Sequence, residues 1–369
     1  MVTTLVTSSV AAFACKSKAC APPPVGTGGS TPTTGGSPGD SGMEFTAAWR
    51  QVESAVRDAR KEFDPWNDKM KFPNRSEREA VACKMRSTRA IADELLNSED
   101  GKAVVSDLLR SSIKSDGERN TLQHIAESLF FTSDLVEWFR RSKQGEATLS
   151  ELAEGLIADA NNYNSVYKLR DARQALAQFG LSAEDATPER VVAHLVARMF
   201  ISNWAEASIS FGGSIQSQFA AKRAYGLSQS VKGVDTIEGA ANQVTTAIDS
   251  PLSKRLADAV LAAEHAATQR FLRETLGPDV KTVTLYRGVV NQYEQSKPGD
   301  VVDVESHPLS SWTADPEMAD SFAGGRDGVV LKMEVPIEMI QSTPLSGRGC
   351  LDEAEFVIIG HPSQARRVA

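Results

Sequence analysis

The texture of the chain changes at Gly277-Pro278, and nothing else in the sequence constrains the fold as much. From Glu44 to about Leu276, runs such as FTAAWRQVESAVRDARKEF, AVACKMRSTRAIADELLN and RVVAHLVARMFISNWAEA carry apolar residues at three-to-four spacing. That is the period of a helix with one buried face. After Pro278 the segments VTLYRGVV, GDVVDVES, PLSSWTA, GVVLKMEV and AEFVIIG are short and β-branched, and Gly, Pro and Asp separate them. Helices followed by strands predict an α+β chain. Its parts are a helical body over residues 44–278 and a compact β-sandwich-like lobe over residues 279–369.

Two helices have readable ends. Ser250 is placed to cap the last long helix, Pro251 suits its first turn, and Gly277-Pro278 closes it. Leu252, Leu256, Ala259, Ala263 and Ala266 keep one face of it apolar, and His265 reads as a packed or solvated helix residue. Inside the strand-rich part, Asp315 caps a short helix from Pro316 to Phe322, and Gly324-Gly325 ends it.

Residues 1–43 read as a leader. Of the 21 residues from 22 to 42, 19 are Gly, Pro, Ser or Thr, too polar to offset their ordering entropy, so a disordered linker is expected. Ahead of it, MVTTLVTSSVAAFACKSKAC has no positive charge before Lys16 and a broken apolar run, which suits a secretory signal peptide poorly. Three readings stay open for it: the leader of an effector exported unfolded, a tail with no addressing role, and a lipoprotein cleavage site at Ala-Phe-Ala-Cys15.

Composition removes several classes. Hydrophobic residues are 41% and charged residues 24%, ordinary for a globular protein. No stretch approaches the roughly 20 apolar residues that cross a bilayer. The net charge of −8 argues against a nucleic-acid binder held by phosphate contacts. Cys15, Cys20, Cys83 and Cys350 show no C-x-x-C spacing and no ligand cluster with histidines, so no metal is expected and the body fits a reducing compartment. No G-x-G-x-x-G follows a strand, which argues against a dehydrogenase.

Three features of the strand-rich end come in order. Tyr286-Arg287-Gly288 ends a strand, Ser311-Trp312-Thr313 lies on a second, and Glu353-Ala354-Glu355 opens a last one after the bend Ser346-Gly347-Arg348-Gly349. Taken singly, each has an ordinary reading as surface charge or chance. Together, in this order and strand context, the chain resembles the mono-ADP-ribosyltransferase superfamily. The branch is the one marked by Arg, Ser-x-Ser/Thr and Glu-x-Glu. Ala319 and Phe322 on the helix after Asp315-Pro316-Glu317 support the likeness, which covers residues from about 282 to 361. The helical region ahead of the lobe looks like the layout of bacterial toxins and effectors in this group.

The resemblance implies a secreted effector, delivered into the host-cell cytoplasm, that transfers ADP-ribose from NAD⁺ to a host protein. NAD⁺ is then a substrate, and a secretion chaperone at the N-terminus is an expected partner. Breaking the nicotinamide–ribose bond leaves a cation-like ribose carbon, so a carboxylate must stand beside it, as in a glycosidase. By carry-over Glu355 takes that role. Arg287 would hold the diphosphate through its two-pronged guanidinium. Gly288 would let backbone approach the nicotinamide carboxamide. Ser311 would donate the hydrogen bond that orients Glu355, and Thr313 would support the site from the same face. Phe322 is either a clamp over the nicotinamide or a core residue, and Arg326 either a second phosphate contact or a surface arginine. Glu353 favours an arginine acceptor, whose guanidinium it would pair with and help deprotonate. Both glutamates, two apart on one strand, are expected to face one cleft. Two alternatives keep the same residues: an NAD⁺ glycohydrolase that uses water as acceptor, and a non-catalytic binder of a host protein.

Overall fold

The computed structural model describes residues 49, 51–62, 75–110, 148–205, 211–231, 251–290, 292–293, 295–304, 306–324, 328–360 and 363–369. The leader over residues 1–43, Ser250 and Arg326 lie outside them. Helix α1 covers residues 51–62. It is followed by α2 (Arg75–Asn97), α3 (Glu99–Arg110), α4 (Leu149–Ala160), α5 (Val166–Gln178), α6 (Pro188–Ala205), α7 (Phe211–Ala224) and α8 (Pro251–Leu276). The strands are β1 (Thr282–Val290), β2 (Val301–Val304), β3 (Leu309–Thr313), β4 (Gly328–Pro336), β5 (Ile340–Ser342), β6 (Glu355–Ile359) and β7 (Ser363–Arg367), with helix α9 (Pro316–Ala323) between β3 and β4. The described chain is thus of mixed α+β class. None of its helices is long and apolar enough to cross a membrane.

The strands form one antiparallel sheet in the order β2-β7-β4-β1-β3-β6-β5. The expected β-sandwich-like lobe is built on a single seven-stranded sheet with β2 and β5 at its edges. Trp312 of β3 and Ile358 of β6 line a cavity of about 620 Å³ whose other wall holds Val304, Met333, Val335 and Gln364 of β2, β4 and β7. β1 and β3 are in register at only one pair, Tyr286 with Thr313.

Helices and sheet share two cores. One joins α2 to α8 and takes in Leu309 of β3 and Val357 of β6. The other joins the strands to Val52 and Val56 of α1, Cys83 of α2, and Phe271 and Leu272 of α8. Gly277 marks a change of secondary structure, and each core has members on both sides of it. Helix α8 is the reason. It packs on α2, α3 and α7 as well as on β5, so its buried arc is wide. Leu256, Ala259 and Ala263 are buried as expected, but Ala266 is exposed and Ala267 is buried in its place. Its C-terminus closes at Gly277, whose φ of +94° suits glycine.

Helix α9 positions the candidate site. Asp315 caps it by accepting from the Glu317 N–H at 2.8 Å, and Gly324 ends it with φ +70°. It lies directly on β1: a Cβ at Gly288 would sit 2.0 Å from the Ala319 carbonyl oxygen. The space freed by this glycine is taken by the helix.

Candidate functional site

Strand register brings the three motif segments together. Thr313 of β3 pairs with Tyr286 of β1 on one side and with Glu355 of β6 on the other. Paired residues share a face of a sheet and neighbours alternate. Tyr286, Gly288, Ser311, Thr313 and Glu355 therefore share the face on which α9 lies. Arg287 falls on the opposite face with Trp312, its guanidinium carbon 6.0 Å from the Trp312 ring centroid. Burial pulls the Arg287 pKa down, and its Nη1 is buried with no hydrogen-bond partner among the described residues.

The end of β3 grips the turn that carries the glutamates. The Thr313 hydroxyl donates to the Glu353 carbonyl at 2.7 Å and accepts from the Asp315 N–H at 2.9 Å. The Ala314 N–H donates to the Ala354 carbonyl at 3.0 Å. Ala354 has φ +46°, a left-handed conformation that costs a residue with a Cβ roughly 1–2 kcal/mol. β6 starts only at Glu355, so Glu353 lies in the turn and not on the strand as expected. Alternation along a strand does not relate the two carboxylates, because the left-handed residue lies between them. Glu353 is half-buried, whereas Glu355 is 6% exposed.

The Glu355 carboxylate accepts from the Cys350 N–H at 2.8 Å, and its own N–H donates to the Cys350 carbonyl at 3.0 Å. Ser311, the expected donor, stands opposite Val357, two pairs further along. Its hydroxyl is exposed and bonds to nothing among the described residues. Phe322 is 38% exposed, so the core-packing alternative does not hold for it.

The segment before Glu355 is held from below by groups that the motifs did not indicate. Every residue from Gln341 to Cys350 is buried. Glu264 of α8 accepts from the Arg348 backbone N–H at 3.0 Å and from its Nε at 2.9 Å, and pairs with Nη2. Gly347 passes so close that a Cβ there would lie 2.3 Å from a Glu264 oxygen. Gln341 donates to Glu264 at 3.0 Å, and Tyr225 donates to Gln341 at 2.7 Å. From α2, Lys84 donates to the carbonyls of Gly349 at 2.8 Å and Arg348 at 3.2 Å. Burial pulls the Lys84 ammonium down to about 8, and the Glu355 carboxylate is the strongest influence in the other direction. A sequence signal for these residues did exist. Lys84 interrupts Val81, Ala82, Cys83 and Met85, all buried, and Glu264 falls between Val260 and Thr268 on a buried stripe of α8.

Of the cysteines in the described residues, Cys83 is a buried free thiol pushed up to about 12 by burial. Cys350 is buried and disulfide-bonded. Comparison of the chain with protein-family models, with curated proteins and with solved structures finds no match.

Proposed function

We propose that this chain is a mono-ADP-ribosyltransferase that cleaves NAD⁺ and passes ADP-ribose to a side chain of a host protein, arginine by preference. One observation carries the reading. Segments that lie about 70 residues apart in sequence meet at Thr313, which is in register with both Tyr286 and Glu355. A carboxylate with little exposure, held by a backbone N–H, meets the need of a developing ribosyl cation, because water does not screen it. The nicotinamide leaves with the bonding electron pair while Glu355 faces the positive ribose carbon. The acceptor nitrogen then attacks that carbon and releases a proton, which Glu353 takes. Phe322, exposed on α9 beside Gly288, is free to stack on the nicotinamide ring. The Ser/Thr-rich leader, with no charged side chain before Lys16, supports delivery as a secreted effector.

The test is incubation of the full chain with NAD⁺ labelled in its adenosine part and a host-cell lysate. Labelled peptides are read by mass spectrometry and nicotinamide release is followed alongside. Label on protein is the expected result. Release without label would give the activity to water instead, making the chain a glycohydrolase. Absence of both would overturn the reading.

A further inference from the structure

We propose that Lys84 of α2 is a positioning residue for Glu355, acting across one peptide group of the segment that precedes it. The inference rests on the reading of Glu355 as the carboxylate that meets the ribose. The Gly349 carbonyl, which accepts from the Lys84 ammonium at 2.8 Å, and the Cys350 N–H, which donates to the Glu355 carboxylate at 2.8 Å, belong to the same planar peptide. A cation at the oxygen end and an anion at the N–H end polarise that peptide in the same sense, so each hydrogen bond strengthens the other. The arrangement also fixes the plane. Peptides next to glycine rotate easily, and Gly349 has no alternative, since a Cβ there would lie 2.4 Å from the Glu355 carbonyl oxygen. Lys84 prevents the flip that would point the Gly349 carbonyl at Glu355 and repel it.

Lys84 is 6% exposed and sits among groups from every element packed against it. Glu355 and Glu264 favour its charge, Arg198 of α6 opposes it, and Cys83 lies beside it on α2. Because burial brings the ammonium to about 8, its proton is lost just above neutrality. The chain of contacts then loses its cation while NAD⁺ itself is unchanged.

The experiment compares the full chain with Lys84→Met and Lys84→Arg. It measures kcat and KM for nicotinamide release between pH 6 and 10, with circular dichroism as a check of folding. Lys84→Met is expected to lower kcat by about tenfold or more, with KM for NAD⁺ within about twofold, because Glu355 acts on bond breaking. Wild type should lose kcat as pH rises through about 8, and Lys84→Met should lack that limb. Lys84→Arg, which keeps a cation, should retain more of kcat than Lys84→Met. An unchanged kcat in Lys84→Met, or the same alkaline limb in both proteins, overturns the proposal.

A second measurement needs no activity and no folded Lys84 variant. In protein labelled with ¹⁵N at lysine side chains, the Lys84 titration should move to lower pH in Glu355→Gln, which removes the anion across the peptide. An unmoved titration overturns the coupling. If wild type releases no nicotinamide, the transferase reading falls by itself and the lysine titration alone decides the Lys84–Glu355 link.

Discussion

Glu264 holds Arg348 at three points, its backbone N–H, Nε and Nη2, and both side chains are only about 1% exposed. A buried pair of this kind adds little net stability over a well-packed apolar pair, but breaking it leaves an uncompensated charge in the interior. Its service is geometric: it ties the segment before Glu355 to α8.

Glu264→Ala should therefore cost about 3–5 kcal/mol of folding stability, read from urea unfolding midpoints. A loss below about 1 kcal/mol would mean that the segment from Thr343 to Gly349 is held without its bridge to α8.

Gly288→Ala tests the seating of α9. The added methyl would lie 2.0 Å from the Ala319 carbonyl and 2.5 Å from the Ala323 nitrogen, both backbone atoms that no rotamer change can remove. The helix must move away, at about 1–3 kcal/mol or more. Unfolding at an unchanged denaturant midpoint would show that α9 does not rest on β1 as described.

Much of this architecture was legible in the sequence, and the gaps have physical causes. α9 announced both its ends, because Asp315, Pro316 and Gly324 each solve a local problem of helix termini. β7 reads Ser-Gln-Ala-Arg-Arg, with no β-branched or aromatic residue, and becomes a strand only because β2 and β4 pair with it. β5 is three residues long, below any periodicity. In the site, strand order placed Thr313 beside Glu355, but the left-handed Ala354 broke the two-residue alternation that the Glu-x-Glu spacing suggested. Lys84 and Glu264 carry no motif, since their partners are backbone groups and the side chains of Gln341 and Arg348, all 77 residues or more away in sequence.

His194 sets a pH dependence of stability. It is fully buried, its Nδ1 lies 2.7 Å from the Phe179 carbonyl oxygen, and burial pulls it down to about 4. In the unfolded chain it titrates near 6.5. Above that value both states are neutral there and pH has no effect through this group. Between about 6.5 and about 4 the unfolded state binds the proton and the folded state does not, so stability is lost as the pH is lowered, by up to roughly 3 kcal/mol. His194→Gln should flatten the curve of urea midpoint against pH in that window. Equal slopes in both proteins would assign the acid sensitivity to other groups.

Arg287 separates two tasks. Arg287 packs against Trp312 on the sheet face opposite Glu355, and its Nη1 is buried with no partner among the described residues; the diphosphate role requires that guanidinium to reach the other face. If Arg287 does hold the diphosphate, Arg287→Lys should weaken NAD⁺ binding about tenfold in calorimetric titration, since a point charge replaces a fork. If Arg287→Ala binds NAD⁺ as tightly as wild type and only unfolds more easily, the arginine belongs to the core alone.

The two glutamates should differ in what they serve. Glu355 is buried at the start of β6 and receives the Cys350 N–H, whereas Glu353 is half-buried in the turn, with the left-handed Ala354 between them. A carboxylate that meets the ribose is needed whether protein or water is the acceptor; one that meets the acceptor is needed for transfer alone. Glu355→Gln should therefore reduce both label on protein and nicotinamide release by at least about tenfold. Glu353→Gln should lose the label while a measurable share of release persists, because bond breaking is intact and water remains a nucleophile. Thr313 keeps both carboxylates in place through the Glu353 carbonyl, so Thr313→Val should depress both activities, and Thr313→Ser, which keeps the hydroxyl, should restore them. Equal loss of label and release in Glu353→Gln would end the division of labour, and with it the preference for an arginine acceptor.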